Sequence, residues 1–157
     1  MKQDRFLTGI LVGIAVLVII ALAVFFTRRG TQTYISEETP KGVTHNYVLA
    51  VLNKDYEKAY SYLADLDSKP TYEQFRDAFL KGAVNPNNSA INIGNSEINS
   101  DTASVEVVLI YSQSDPFSTG NRDVQYATLV KQEGTWKLSS MPSYYFWDYS
   151  WYQGPPK

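Results

Sequence analysis

The residue types that carry chemistry are sparse in this chain of 157 residues. Cysteine is absent, which excludes disulfides, thiolate catalysis and thiolate metal sites. A single histidine, His45, excludes a histidine-rich metal centre. On a helical wheel the apolar centre of its segment lies near Tyr47 and Val51, and His45 falls more than a quarter-turn away, beside Leu49 and Leu52. That is a flanking or exposed position, so no Ser/His/Asp relay can be built on it. A carboxylate base needs burial and neighbours to tune it. In Thr102–Tyr111, Ala103, Val105, Val107, Leu109 and Tyr111 share one face, and Glu106 sits with Ser104 on the other. Glu97 falls near a strand end and Asp123 near a strand start. All three read as solvated strand charges. No catalytic set, cofactor or metal site is expected.

Aromatic residues are the second chemical resource. Within Ser143–Tyr152 (SYYFWDYSWY) stand Tyr144, Tyr145, Phe146, Trp147, Tyr149, Trp151 and Tyr152. Read as a strand, Tyr145, Trp147, Tyr149 and Trp151 point one way. One such face could close a core as a last strand. Two buried faces are harder to arrange, because Asp148 and Ser150 on the other side need water or partners. Tyr145, Trp147, Tyr149 and Trp151 are therefore candidate contacts to a protein partner, a glycan or a headgroup layer. Tyr56 and Tyr60 are candidate pocket donors, set against the plainer reading of core rings with hydroxyls at the rim. Asn87-Asn88-Ser89 matches a glycosylation sequon, a motif too short to carry weight alone.

The elements that must position these residues follow from charge and period. Phe6–Phe26 contains no charged residue, and Lys2, Arg5, Arg28 and Arg29 flank it. At about 1.5 Å per residue such a run matches a hydrocarbon thickness of about 30 Å. It predicts an uncleaved, single-pass anchor over residues 6–27, with the bilayer as a partner through Phe6–Phe26. The rival, a cleaved leader, has a shorter apolar region and a small-residue cleavage site. Gly9 and Gly13 form a GxxxG pair that could bring two copies together. The remainder, residues 30–157, is acidic at about −5, which gives nucleic acid no electrostatic footing. Residues 1–5 form a short tail and residues 28–38, including the polar run GTQTYISEE, a linker.

Three amphipathic helices then precede four strands. Thr39-Pro40 caps the first helix, Asp55 the second, and Thr71 with Gln74 forms a capping box for the third. Ala90–Ile98, Thr102–Tyr111, Arg122–Lys131 (Val124, Tyr126 and Val130 alternating) and Thr135–Ser140 follow as strands, with Ser112–Asn121 as a polar loop. Helices followed by consecutive strands predict an α+β domain over residues 39–142, three helices packed on one face of a curved antiparallel sheet, with 143–157 as an aromatic-rich end.

The run TPKGVTHNYVLAVLNKDYEKAYSYLA, with its Asp-Tyr-x-x-Ala-Tyr helix, and the later Glu133-Gly134-Thr135-Trp136-Lys137-Leu138 hairpin resemble the nuclear transport factor 2-like superfamily (the SnoaL-like, cystatin-like cone). The resemblance covers about Thr39 to Met141. It implies a cone that often encloses a pocket, and membrane-anchored bacterial members carry one such domain outside the cell. Localisation at the cell membrane with an extracytoplasmic C-terminal domain is the matching expectation. Catalytic members place a carboxylate or histidine inside the cone, and none is evident here. The expected function is a membrane-tethered, non-catalytic binding or assembly module with an envelope protein, a glycan or a second copy as partner. The alternative is a small-molecule carrier or enzyme that uses the cone pocket. A filled apolar interior would favour the module, and convergent polar side chains in an open cone the enzyme.

Overall fold

The computed structural model describes residues 5–28, 32–86, 89–111, 122–142 and 145–153. The expected loop at Ser112–Asn121, the Asn87-Asn88 start of the sequon and Tyr144 lie outside these residues. The chain divides into two units, Met1–Thr33 and Tyr34–Lys157.

The first unit contains α1, Arg5–Arg28. Its side chains are described over residues 8–24 and are exposed. The expected membrane anchor over Phe6–Phe26 is corrected here. Among the described residues, no helix is long and apolar enough to cross a membrane. The single-pass and membrane-localisation expectations are corrected with it.

The second unit is α+β. Helices α2 (Pro40–Leu52), α3 (Tyr56–Ser61) and α4 (Tyr72–Leu80) precede strands β1 (Ser89–Asn99), β2 (Thr102–Tyr111), β3 (Arg122–Gln132) and β4 (Thr135–Ser140). The strands form one antiparallel sheet in sequence order. Each helix begins where local chemistry dictates. The Thr39 side chain accepts from the Gly42 N–H, and Pro40 needs no donor in the first turn. The Asp55 side chain accepts from the Lys58 N–H. Thr71 and Gln74 satisfy each other's backbone in a full capping box.

The core lies between the helices and one face of the sheet. Val105, Val107 and Leu109 of β2, Ala127 and Leu129 of β3, and Leu138 of β4 are fully buried against Tyr47, Val51, Leu63 and Phe75. Trp136 alternates with Leu138 and is also buried. The free edge of β4 is closed by the segment after α3. There the Ala64 N–H donates to the Leu138 carbonyl at 2.7 Å, and the Leu138 N–H donates to that of Tyr62 at 2.8 Å. An uncovered strand edge would leave such groups open to other chains.

The backbone from Tyr34 to Glu38 is strapped onto this unit. Asn46, fully buried, holds both polar groups of Ile35. The Tyr62 hydroxyl donates to Glu37 Oε1 at 2.6 Å, and the Lys58 ammonium lies 3.7 Å from the centre of the Tyr34 ring. The approach is so close that a Cβ on Gly42 would stand 1.8 Å from the Ser36 carbonyl oxygen. Only glycine fits there.

Candidate functional site

The C-terminal aromatic run is not a strand. Residues 145–153 turn back across the helices and fill the interior. Phe146, Trp147 and Trp151 are buried, whereas Tyr149 is exposed and Tyr145 half-buried. Strand alternation fails because the segment is built of tight turns. The Trp151 N–H donates to the Asp148 carbonyl at 3.0 Å, the Ser150 N–H to Asp148 Oδ1 at 2.8 Å, and Tyr152 has a φ of 60°. Thus the Asp148 carboxylate finds a partner within the turn, the Ser150 N–H.

The rings form one aromatic cluster. Trp151 lies 4.9 Å from Phe75 and 5.0 Å from Trp147, centre to centre, and Trp147 stacks on Tyr152 at 5.8 Å. Tyr56 stacks on Phe79 at 5.2 Å, and Tyr60 meets Phe75 at 5.5 Å. Such offset and edge-on pairs add to the stabilisation from burial.

The hydroxyls of Tyr47, Tyr60, Tyr62 and Tyr152 are committed to structure. Tyr47 donates to the Phe146 carbonyl at 2.6 Å, Tyr60 to that of Pro70 at 2.8 Å, and Tyr152 to that of Ala64 at 2.5 Å. Burial raises the Tyr47, Tyr60, Tyr62 and Tyr152 hydroxyls above the ordinary phenol range. For Tyr62 the hydrogen bond to Glu37 and its charge add to this. These groups hold their protons as structural donors. Tyr60 therefore serves as a tie to Pro70, and Tyr56 as a ring on Phe79.

Two open grooves meet at Lys69. The larger, about 580 Å³, runs between α4 and the C-terminal segment, with Gln74, Asp77, Lys81, Asp148, Trp151 and Gln153 among its walls. The other, about 480 Å³, is flanked by Asp65, Glu133 and Lys137. Lys69 borders both. Its ammonium sits 4.7 Å from the Tyr60 ring centre, 3.4 Å from the Leu63 carbonyl and 3.9 Å from the exposed Asp65 carboxylate. Burial lowers its pKa, opposed by Asp65 and reinforced by Lys137. Asp77 is held below the usual carboxylate range, first by its hydrogen bond from Lys81, at 2.8 Å, and then by that residue's charge. Acids and bases alternate around the grooves, so they suit a neutral or zwitterionic, hydrogen-bonding ligand.

The inner face of the sheet holds one feature that period alone did not locate. Asp123 pairs with Leu109 and Gln125 with Val107, which places both polar residues on the helix-covered side, where Gln125 Nε2 donates to Asp123 Oδ2. Glu106 lies on the opposite face and Glu97 is exposed, as expected for solvated strand charges. His45 is half-buried on α2. Among the described residues, no cluster of histidine and carboxylate residues could hold a metal ion.

No family model matches the chain, and no curated protein matches it. Solved structures are similar to it, among them the following two. RPA3114, a SEC-C motif-containing protein from Rhodopseudomonas palustris, shares 13% identity over 68% of this chain and 79% of its own, with a TM-score of 0.46. An NTF2-like protein from Campylobacter jejuni, named as a candidate transpeptidase, shares 17% identity over 64% of this chain and 96% of its own, with a TM-score of 0.41.

Proposed function

We propose that this chain is a non-catalytic binding or assembly module that meets its ligand in the groove between α4 and the C-terminal aromatic segment. The observation that carries this reading is the filled interior. Phe146, Trp147 and Trp151 are buried in one core with residues of the helices and the sheet, and the hydroxyl of the fully buried Tyr47 is bound to a backbone carbonyl. Chemistry inside a cone needs room for a substrate and a convergent set of polar groups. The groove instead offers volume at the surface, an aromatic wall at Trp151 and hydrogen-bonding groups at Gln74, Asp148 and Gln153. That combination fits a glycan or a polar stretch of protein.

The alternative, a carrier or enzyme using the interior, draws on one observation, the Asp123–Gln125 pair on the inner side of β3. A nuclear magnetic resonance titration of the full chain with soluble oligosaccharides and polar peptides separates the two. The module reading expects shifts confined to Gln74, Asp77, Lys81, Asp148 and Gln153, with the added compound recovered unchanged. Shifts centred on Asp123 and Gln125, with conversion of the compound, would replace it with the enzyme reading.

A further inference from the structure

The strap from Tyr34 to Glu38 is held through its backbone and its polar ends more than through its apolar groups. Tyr34 is 38% and Ile35 44% exposed. The anchor is Asn46, fully buried on α2, whose carboxamide takes the N–H and the carbonyl of Ile35 together. A buried carboxamide costs free energy unless its groups are bonded, and here an extended backbone bonds them. Such a pair of bonds reads the backbone and ignores the side chain between them, as a sheet edge does when a peptide adds to it. Side chains are read to either side. One residue earlier, the Lys58 ammonium lies 3.7 Å from the Tyr34 ring centre. Two residues later, Glu37 accepts from the Tyr62 hydroxyl at 2.6 Å. Gly42 leaves room for the intervening Ser36 carbonyl. The seat built by these residues selects an extended chain with an aromatic residue three positions before an acid.

We propose that this seat is a peptide-docking site, blocked by the chain's own strap, whose partner is an extended segment of another protein with the same aromatic-x-x-acid pattern. It shares no residue with the groove beside α4 and stands or falls separately from it. Three features favour exchange of the strap for such a segment. Residues 34–38 are exposed, and segments with few buried side chains open at the low end of a protein's stability. The groups that hold the strap are two bonds to one residue's backbone, one to a carboxylate and one ring contact. Another chain of that pattern can make all of them. The strap also lies directly after the junction of the two units at Thr33 and Tyr34 and before the Thr39 cap of α2. It can therefore leave its seat without breaking a helix. While in place it is a tethered competitor, at an effective concentration on the order of millimolar. Loosening the strap opens the site.

Ile35→Pro tests this without touching the seat, because proline has no N–H to offer Asn46 Oδ1. The probe is a fluorescein-labelled peptide of the strap sequence, TYISEE, residues 33–38. It is added to the full chain and read by fluorescence anisotropy. The Ile35→Pro chain should bind it about tenfold more tightly than the unaltered chain, since losing one hydrogen bond frees the seat by about that factor. The same peptide carrying Ile35→Pro should not compete. The preference for the peptide's Glu37 over its Glu37→Gln form should disappear when Tyr62→Phe is added to the Ile35→Pro chain. In the unaltered chain, the Ile35 amide should exchange with deuterium faster than the buried amides of α2. Equal binding by the two folded chains would overturn the proposal, as would a proline peptide that competes equally well. An Ile35 amide that exchanges only with global unfolding would overturn it even if Ile35→Pro does not fold. So would a loosened chain that fills its seat with the strap of a second copy, seen as a dimer that the peptide does not dissociate.

Discussion

Asn46 and Ile35 are joined by two hydrogen bonds at once. The Ile35 N–H donates to Asn46 Oδ1 at 2.9 Å, and Asn46 Nδ2 donates back to the Ile35 carbonyl at 2.8 Å. A buried carboxamide on α2 thereby does the work of a neighbouring strand for a segment eleven residues earlier. Asn46→Ala leaves both groups of Ile35 without this partner. It should destabilise the domain by about 1–3 kcal/mol, the net worth of two lost hydrogen bonds at about 0.5–1.5 kcal/mol each, measured by urea unfolding. A loss below about 0.5 kcal/mol would mean that water replaces the carboxamide and the strap is dispensable.

Tyr47 ties α2 to the C-terminal segment. Its hydroxyl is the donor to the Phe146 carbonyl, and both residues are fully buried. Tyr47→Phe keeps the ring and strands the carbonyl, at an expected cost of about 1–3 kcal/mol. Amide hydrogen exchange in residues 145–153 should accelerate more than exchange in β2. Uniform acceleration would show that the bond stabilises the whole domain without locally holding the segment.

Deletion of the aromatic segment is a stronger test of the same relation. Phe146, Trp147 and Trp151 are core residues, so removal of residues 145–157 should leave a chain without a cooperative unfolding transition. Trp147→Ala alone should cost about 3–5 kcal/mol, as large aromatic truncations in cores do. A deleted chain that still melts cooperatively would show that the helices and sheet make a sufficient core without it.

Trp136→Ala should carry a similar penalty, about 3–5 kcal/mol. The ring is buried on the inner face beside Leu138, with the Lys131 ammonium 5.6 Å from its centre. Thermal or denaturant melts would place a surface-like value, under about 1 kcal/mol, in conflict with that register.

Alkaline pH should unfold the domain. Tyr47, Tyr60, Tyr62 and Tyr152 have folded pKa values raised by burial, whereas the unfolded chain ionises its tyrosines near pH 10. The folded state therefore binds more protons in that range, and stability falls as pH rises. The contribution is fully present below about pH 10 and is lost progressively above it. Tyrosinate absorbance should show these groups ionising together with loss of near-ultraviolet dichroism. Ionisation of all tyrosines in one ordinary step near pH 10, before unfolding, would contradict the raised values.

Much of the scaffold was legible along the chain because its signals are local. Thr39-Pro40, Asp55 and the Thr71–Gln74 box start helices through contacts three residues apart, and Glu133-Gly134 turns β3 into β4 with both residues at positive φ. The alternation of β2 also assigned its buried face, since its other face carries Ser104 and Glu106. In β3 the same period left the choice of face open. Val124 and Tyr126 look like a core row, but pairing with β2 puts Ala127 and Leu129 inside and turns that row outward. A period of two defines two faces, and only the partner strand decides which is covered. The C-terminal aromatics were legible as a resource and not as a shape. Turns closed by Asp148 and Ser150 put Trp147 and Trp151 into the core and leave Tyr149 at the surface. The apolar run of α1 was legible as composition, but among the described residues no helix is long and apolar enough to cross a membrane. The grooves around Lys69 were not legible at all, because α4, the segment after α3 and the last turns supply their walls from distant parts of the sequence. Caps and periods act over a few residues, whereas covered faces and groove walls exist only once the chain has closed on itself.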